Sequence, residues 1–226
     1  MDFPYGMHPD VDQSGQGFEL QPFRERQRIW KLFIGGYHAQ FVCREKGRYG
    51  ELSATNRFEI IEEALDFYGD QTRSAGTDKA FSKHLNSDWD GFTFIDSDQY
   101  HLLGKAWFNA LSLADFFLAA PGTTYPMSQN CVESLGVGTI PILEYANVFS
   151  PALTDGVNCL TNQGKEGLGR TLRRLQTLET WGTGKLRQGA AEDYEKHLGP
   201  EGIFESLMQP EVSKLHLHAH LAMPTA

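Results

Sequence analysis

A chain of 226 residues, 40% hydrophobic and 22% charged, has the globular composition and length to bury a real core as one large domain or two small ones. Twenty basic side chains against 29 acidic ones leave a net charge of −9, which argues against a broad nucleic-acid-binding face. No apolar run approaches the ~20 residues needed to span a bilayer, so no membrane span is expected.

Residues 1–28, rich in Gly, Pro, Gln and charge, read as an irregular lead-in. Ile29 to Ile34 is a first strand closed by Gly35-Gly36, and 43–55 is a polar loop. Asn56 to Tyr68 places Phe58, Ile61, Leu65 and Tyr68 near a 3.6-residue period and predicts a helix. Residues 69–88 are weakly patterned, and Gly91 to Ile95 is a second strand. Asp98 to Ser112 reads as a helix with Leu102, Leu103, Ala106, Trp107 and Ala110 as its apolar stripe. Asp115 to Ala119 is a third strand, broken by Pro121-Gly122. Ser128 is a plausible N-cap for a helix whose apolar face is Cys131, Val132 and Leu135. Gly136 and Gly138 end that helix before a fourth strand, Thr139 to Leu143. Val157 to Thr161 is a fifth strand after an Asp155-Gly156 turn. Glu166 to Leu178 is a helix with Leu168, Leu172 and Leu175 inward, and helical stretches near 184–198 and 201–208 precede a loose tail, 211–226. Strands alternating with helices across 29–210 predict one Rossmann-like α/β domain, with five or six parallel strands covered by helices on both faces.

The start MDFPYGMHPD has neither a basic nor an apolar region of the kind a secretory signal needs. Cys43, Cys131 and Cys159 are widely spaced, which fits free thiols in a reducing compartment rather than a disulfide framework or a zinc cluster. The expectation is a soluble, cytoplasmic protein.

Chemistry concentrates in Ala114–Leu143, a strand, turn, helix and strand in succession. A loop that leads from the carboxyl end of a strand into a helix is a ready anion site, because unpaired N–H groups point outward there. Glu133 lies about one turn inside, where a carboxylate can accept bonds from two neighbouring sugar hydroxyls. The same pattern also describes an ordinary strand–helix–strand unit with Glu133 as a solvated helix residue. Gly35-Gly36 sits where α/β folds place ligands and serves equally as a plain tight turn; no dinucleotide fingerprint follows it. His38 is the histidine placed nearest that turn. Arg44, Lys46, Arg48, Tyr49 and Arg57 form a local basic cluster whose arginines suit a diphosphate, although solvated loop residues give the same pattern. Asp96-Ser97-Asp98 imitates a metal-holding Asp-x-Asp motif, while Asp and Ser in front of a helix are also ordinary caps. His216, His218 and His220 would share one face of a strand, or belong to a frayed tail.

The run Ser128 to Ile142, with FSPALTDGVNCL from Phe149, resembles the C-terminal, donor-binding domain of GT-B-fold glycosyltransferases, nearest to exostosin-like and related bacterial polysaccharide enzymes. The shared pattern is an apolar strand, a Pro-Gly turn, Pro-x-Ser, Glu-Ser-Leu-x-x-Gly-x-Ile-Pro-Ile, and a later Asp-Gly-x-Asn-Cys-Leu. It extends to FPYGMHP near the start and to 44–57, and spans most of 3–205. The resemblance implies transfer of a sugar from a nucleotide-sugar to a glycan-type acceptor, without a metal or other cofactor. It implies a donor site built from the Gly35-Gly36 turn and His38, the arginines Arg44, Arg48 and Arg57, the phosphate-side residues Gly122, Thr123, Ser128 and Asn130, and Glu133 on the ribose. Many retaining enzymes of that fold carry a second glutamate eight residues before the first; here that position is Tyr125, so a retaining mechanism is not implied. The general base in that family comes from an N-terminal domain, and 226 residues supply one domain of the two. The alternatives are therefore a non-catalytic nucleotide-sugar-binding or partner subunit that works with a separate second domain, and a metal-dependent GT-A-like transferase using Asp96 and Asp98.

Overall fold

The computed structural model describes residues 2–3, 7, 19–36, 55–97, 99–102, 104–122, 126–178, 180–208 and 216–217. Its centre is a six-stranded, all-parallel sheet. In chain order the strands are β2 (Trp30–Gly36), β3 (Thr72–Ser74), β4 (Trp89–Asp96), β5 (Ala114–Leu118), β6 (Ile140–Leu143) and β7 (Leu160–Thr161), following a two-residue β1 (Asp2–Phe3) that pairs with β8 (His216–Leu217). Across the sheet they run β3-β4-β2-β5-β6-β7. The helices are α1 (Gln21–Arg24), α2 (Arg57–Tyr68), α3 (Asp78–His84), α4 (Gly104–Leu113), α5 (Gln129–Gly136), α6 (Gly164–Thr177), α7 (Thr180–Asp193) and α8 (Pro200–Leu207), with a π-helical turn at Tyr194–Leu198 between the last two.

This is the Rossmann-like α/β architecture that the alternating elements predict. Parallel strands buried on both faces must be apolar almost throughout. Accordingly Leu32, Phe33 and Ile34 of β2, Phe116 to Leu118 of β5 and every residue of β6 are buried. The crossover from β2 to β3 runs one way across the sheet and those from β4 to β5 and from β5 to β6 run the other, so right-handed crossovers put α2 on one face and α4 and α5 on the opposite one. α2 packs on α6, while α4, α5 and α7 form a second contiguous layer. No described helix is long and apolar enough to cross a membrane.

Several expectations change, among them the strand from Val157 to Thr161, which is only Leu160–Thr161, with Val157 exposed in the turn before it. The weakly patterned segment 69–88 holds the sixth strand, β3, and the helix α3. β2 continues through Gly35 and Gly36, which pair with Ile95 and Asp96, instead of closing before them. Phe58 lies on the open side of α2, which buries Ile60, Ile61, Ala64 and Tyr68. Asp96 does not cap a helix at residue 98, because α4 begins only at Gly104; the Asp96 carbonyl instead accepts from the backbone of Gln99 and Tyr100 at 3.0 and 2.8 Å.

Two arginines of the lead-in fix the amino end of this scaffold. Arg28 donates to Val137 O at 2.6 Å and to the carbonyl of Ser112, and Arg24 Nε donates to Gly136 O at 2.7 Å. Each satisfies carbonyls that helix C-termini leave open. Burial among these groups, with Arg187 nearby, lowers Arg28 to about 9.

Candidate functional site

The strand order reverses between β2 and β5, and the chain leaves both strands at the same edge of the sheet. Ligands of open α/β sheets bind in the crevice outside the carboxyl ends of such a pair. Here the floor is made by Gly35 and Gly36 of β2 and by Pro121-Gly122 after β5. Gly36 has φ +152°, and a Cβ added to it would stand 2.4 Å from Arg57 Nη1. The guanidinium therefore lies directly over the glycine backbone, and its Nη2 is 3.5 Å from Pro121 O. α2 aims it there: Asn56 caps the helix by accepting from Glu59 N at 2.9 Å, which makes Arg57 its first residue.

The second wall is the amino end of α5. Ser128 caps it as expected, its hydroxyl 3.4 Å from Cys131 N, and Asn130 Nδ2 reaches back to Gly35 O at 3.5 Å. The turn before it closes through Gly122 N donating to Pro126 O at 3.0 Å. β4 ends alongside: Asp96 is in register with Gly36, and Ser97 N donates to Gly36 O at 3.1 Å. One cation, a helix amino end and backbone exposed at glycine thus meet at one crevice, a combination suited to an anionic ligand.

Of the residues proposed from sequence, Gly35, Gly36, Arg57, Gly122, Ser128 and Asn130 come together here. His38, Arg44, Arg48 and Thr123 lie outside the described residues, as do Lys46, Tyr49, Asp98, His218 and His220. His216 sits in β8, paired with β1.

Glu133, expected either on the ribose of the donor or as a solvated helix residue, is buried instead. It is 1% exposed, and its Oε2 accepts from Trp107 Nε1 at 2.6 Å. Trp107 in turn is wedged between Phe33 and Phe117, with ring centroids 5.6 and 5.9 Å away, and a Cβ on Gly35 would lie 2.6 Å from its Cζ3. The carboxylate belongs to the support beneath Gly35. A buried carboxylate is tolerated when it is hydrogen-bonded, which the indole achieves here.

Two further residues carry signals that sequence reasoning passed over. Glu144, after β6, accepts from the Thr55 hydroxyl at 2.9 Å and from the backbone N–H groups of Thr55 and Gly164. It thereby ties the approach to α2 to the start of α6 and borders a polar cleft of about 520 Å³ with Thr161, Arg170 and Arg174. Tyr145 is 3% exposed, its ring stacked on Phe149 at 6.3 Å and 15°. Burial pushes its phenol well above the ordinary range, and the Cys131 thiol adds to this, while Ser128 and Arg57 act in the opposite direction. Its hydroxyl lies beside the Ser128 hydroxyl and the Cys131 thiol, and hydrogen bonding with both contributes to that balance.

No protein-family model matches the chain. No curated protein matches its sequence. In structure it is similar to the Candida albicans trehalose-6-phosphate phosphatase N-terminal domain, at 13% identity and a TM-score of 0.47, over 91% of this chain and 48% of that one. The chain thus spans about half the length of that structure, and a likeness of this size carries no argument about activity.

Proposed function

We propose that the crevice binds the diphosphate of a nucleotide-sugar, and that the chain acts as the donor-binding part of a glycosyltransferase for a glycan-type acceptor. The observation that supports this reading best is the placement of Arg57 over the bare backbone of Gly36, facing the capped amino end of α5. A diphosphate leaving group develops negative charge as the sugar departs. Preorganised donors and a fixed cation aimed at that charge are an effective form of catalytic stabilisation. Arginine suits the task because its fork bonds two oxygens at once. Glu133 enters as a positioning residue: through Trp107 it holds Gly35 and the crevice floor. A partner subunit that binds the donor without transferring it shares this chemistry; donor hydrolysis by the chain favours the enzyme, and binding without hydrolysis favours the subunit.

A metal-dependent reading has one observation in its favour, since Asp96 ends β4 in register with Gly36 and borders the same crevice. Calorimetric titration with UDP, GDP, ADP and their sugars, with and without EDTA, separates the readings. Diphosphate binding that survives EDTA supports the arginine-based site. Binding abolished by EDTA and by Asp96→Ala supports the metal-dependent one.

A further inference from the structure

We propose that Glu144 is a positioning residue for ligand binding: its carboxylate holds the start of α2 against the sheet, and so holds the Arg57 guanidinium over Gly36; this rests on the reading of the crevice as a diphosphate site. Glu144 follows the last residue of β6, at the carboxyl edge of the sheet where the crevice lies. It accepts from the Thr55 hydroxyl at 2.9 Å and from the backbone N–H of the same residue, one bond to each of its two oxygens. Thr55 stands two residues before Arg57, with the Asn56 cap between them. The oxygen that takes the Thr55 hydroxyl also accepts from the N–H of Gly164, the first residue of α6.

The way α2 is held along its length is why this carboxylate matters to the arginine. The helix buries Ile60, Ile61, Ala64 and Tyr68, so its grip on the core begins one turn after its start. The Asn56 cap accepts from Glu59 N and fixes the first turn to its own chain, not to the sheet. First turns carry N–H groups without helical partners, and they fray unless something else holds them. Glu144 supplies an attachment to the sheet, with two charge-assisted bonds to the residue in front of the cap. Through Gly164 it does the same for α6, against which α2 packs. One carboxylate thus brackets the amino ends of two neighbouring helices, whose dipoles favour a negative charge there. Arg57 is the first residue of α2, and its side chain has to reach both the backbone of Gly36 and Pro121 O. A guanidinium that meets a diphosphate in fork geometry tolerates little displacement of the backbone that carries it.

Calorimetric titration with UDP, GDP and ADP compares wild type, Glu144→Ala, Arg57→Gln and the double variant, beside Gly189→Ala as a chain destabilised where α7 meets Val157. The expected result is affinity weakened roughly tenfold in Glu144→Ala, by no more than Arg57→Gln loses, while Gly189→Ala binds as wild type does. The double variant binds as weakly as Arg57→Gln alone, because both changes remove one contact. If Glu144→Ala melts lower yet binds as wild type does while Arg57→Gln binds more weakly, Glu144 serves the fold alone; the proposal fails and the reading of the crevice stands. A further loss in the double variant places the effect of Glu144 elsewhere than on Arg57, and overturns the proposal too. If Glu144→Ala does not fold, Thr55→Val decides, since it removes the hydroxyl bond and keeps the one from Gly164. A roughly fivefold loss that disappears in the Arg57→Gln background supports the proposal, and unchanged affinity overturns it. If wild type binds none of the three, or Arg57→Gln binds as well as wild type, both the proposal and the reading of the crevice fail.

Discussion

Adding a single methyl group at Gly36 separates the crevice's role in folding from its role in binding. In Gly36→Ala the new Cβ would lie 2.4 Å from Arg57 Nη1 and 3.7 Å from its Cζ. The backbone φ of +152° is one that side-chain-bearing residues rarely adopt, at a cost on the order of 1–3 kcal/mol. The steric clash itself is cheap for the fold, because it meets the far end of a flexible side chain that can swing away. That movement is what binding cannot tolerate. A hydrogen bond to a charged group contributes about 1.5–3 kcal/mol, so displacing the guanidinium weakens diphosphate affinity roughly ten- to hundredfold. Gly69→Ala is the control: φ is +47°, nothing lies within 4 Å of the added Cβ, and it caps the far end of α2. Both variants lose stability, by an amount on the order of 1–3 kcal/mol at Gly69 as well, and each kilocalorie lowers the melting temperature by roughly 2–4 °C in a chain of this size. Only Gly36→Ala loses affinity. Denaturant titrations give the first quantity and calorimetry with UDP, GDP and ADP the second. Undiminished affinity in a folded Gly36→Ala chain would refute the placement of the ligand over β2.

Helix α7 offers a matched pair. Gly184→Ala, with nothing within 4 Å, stabilises by about 0.5–1 kcal/mol through helix propensity. Gly189→Ala, whose Cβ would stand 2.2 Å from the Val157 carbonyl oxygen, destabilises by about 1–3 kcal/mol, and urea titrations of the two show opposite signs. Burial lifts Cys131, with Cys159 adding to it, and burial also lifts Cys159 to about 12, so neither forms thiolate at pH 8 in the native chain. Mass spectrometry after iodoacetamide treatment should find both unmodified until the chain is denatured; modification of the native protein contradicts their burial. Asn56→Ala removes the cap of α2 and costs about 1 kcal/mol by denaturant titration. Its diphosphate affinity should fall as well, because Arg57 is the next residue.

What the sequence made legible was what local chemistry decides. The apolar runs of β2, β4, β5 and β6, the Ser128 cap and the leucines of α6 follow from periodicity and capping within a dozen residues, and they hold in the structure. β3 was not legible because three half-exposed residues at a sheet edge leave no alternating pattern. The Asp96-Ser97 pair looked like a cap because local signals cannot tell a helix start from a turn that ends a strand. Neither reading of Glu133, on the ribose or solvated, included its burial, because a glutamate on a short amphipathic helix gives no sign of it. Its partner Trp107 is 26 residues away in sequence, and only the packing of α4 on α5 brings them together. Tyr145 and Glu144 were passed over for the same reason: their meaning lies in Ser128, Arg57, Thr55 and Gly164, which come from other elements.

The central claim is that a diphosphate binds over Gly36 against Arg57. Calorimetric titration of the wild-type chain and of Arg57→Gln with UDP, GDP and ADP, in EDTA, tests it most directly. The account predicts binding of at least one of the three by wild type, an affinity roughly tenfold or more weaker in Arg57→Gln, and a wild-type stabilisation of about 2.7 kcal/mol at 100 times the dissociation constant. No heat and an unchanged melting temperature with all three at millimolar concentration, or equal binding by the Arg57→Gln chain, would contradict it.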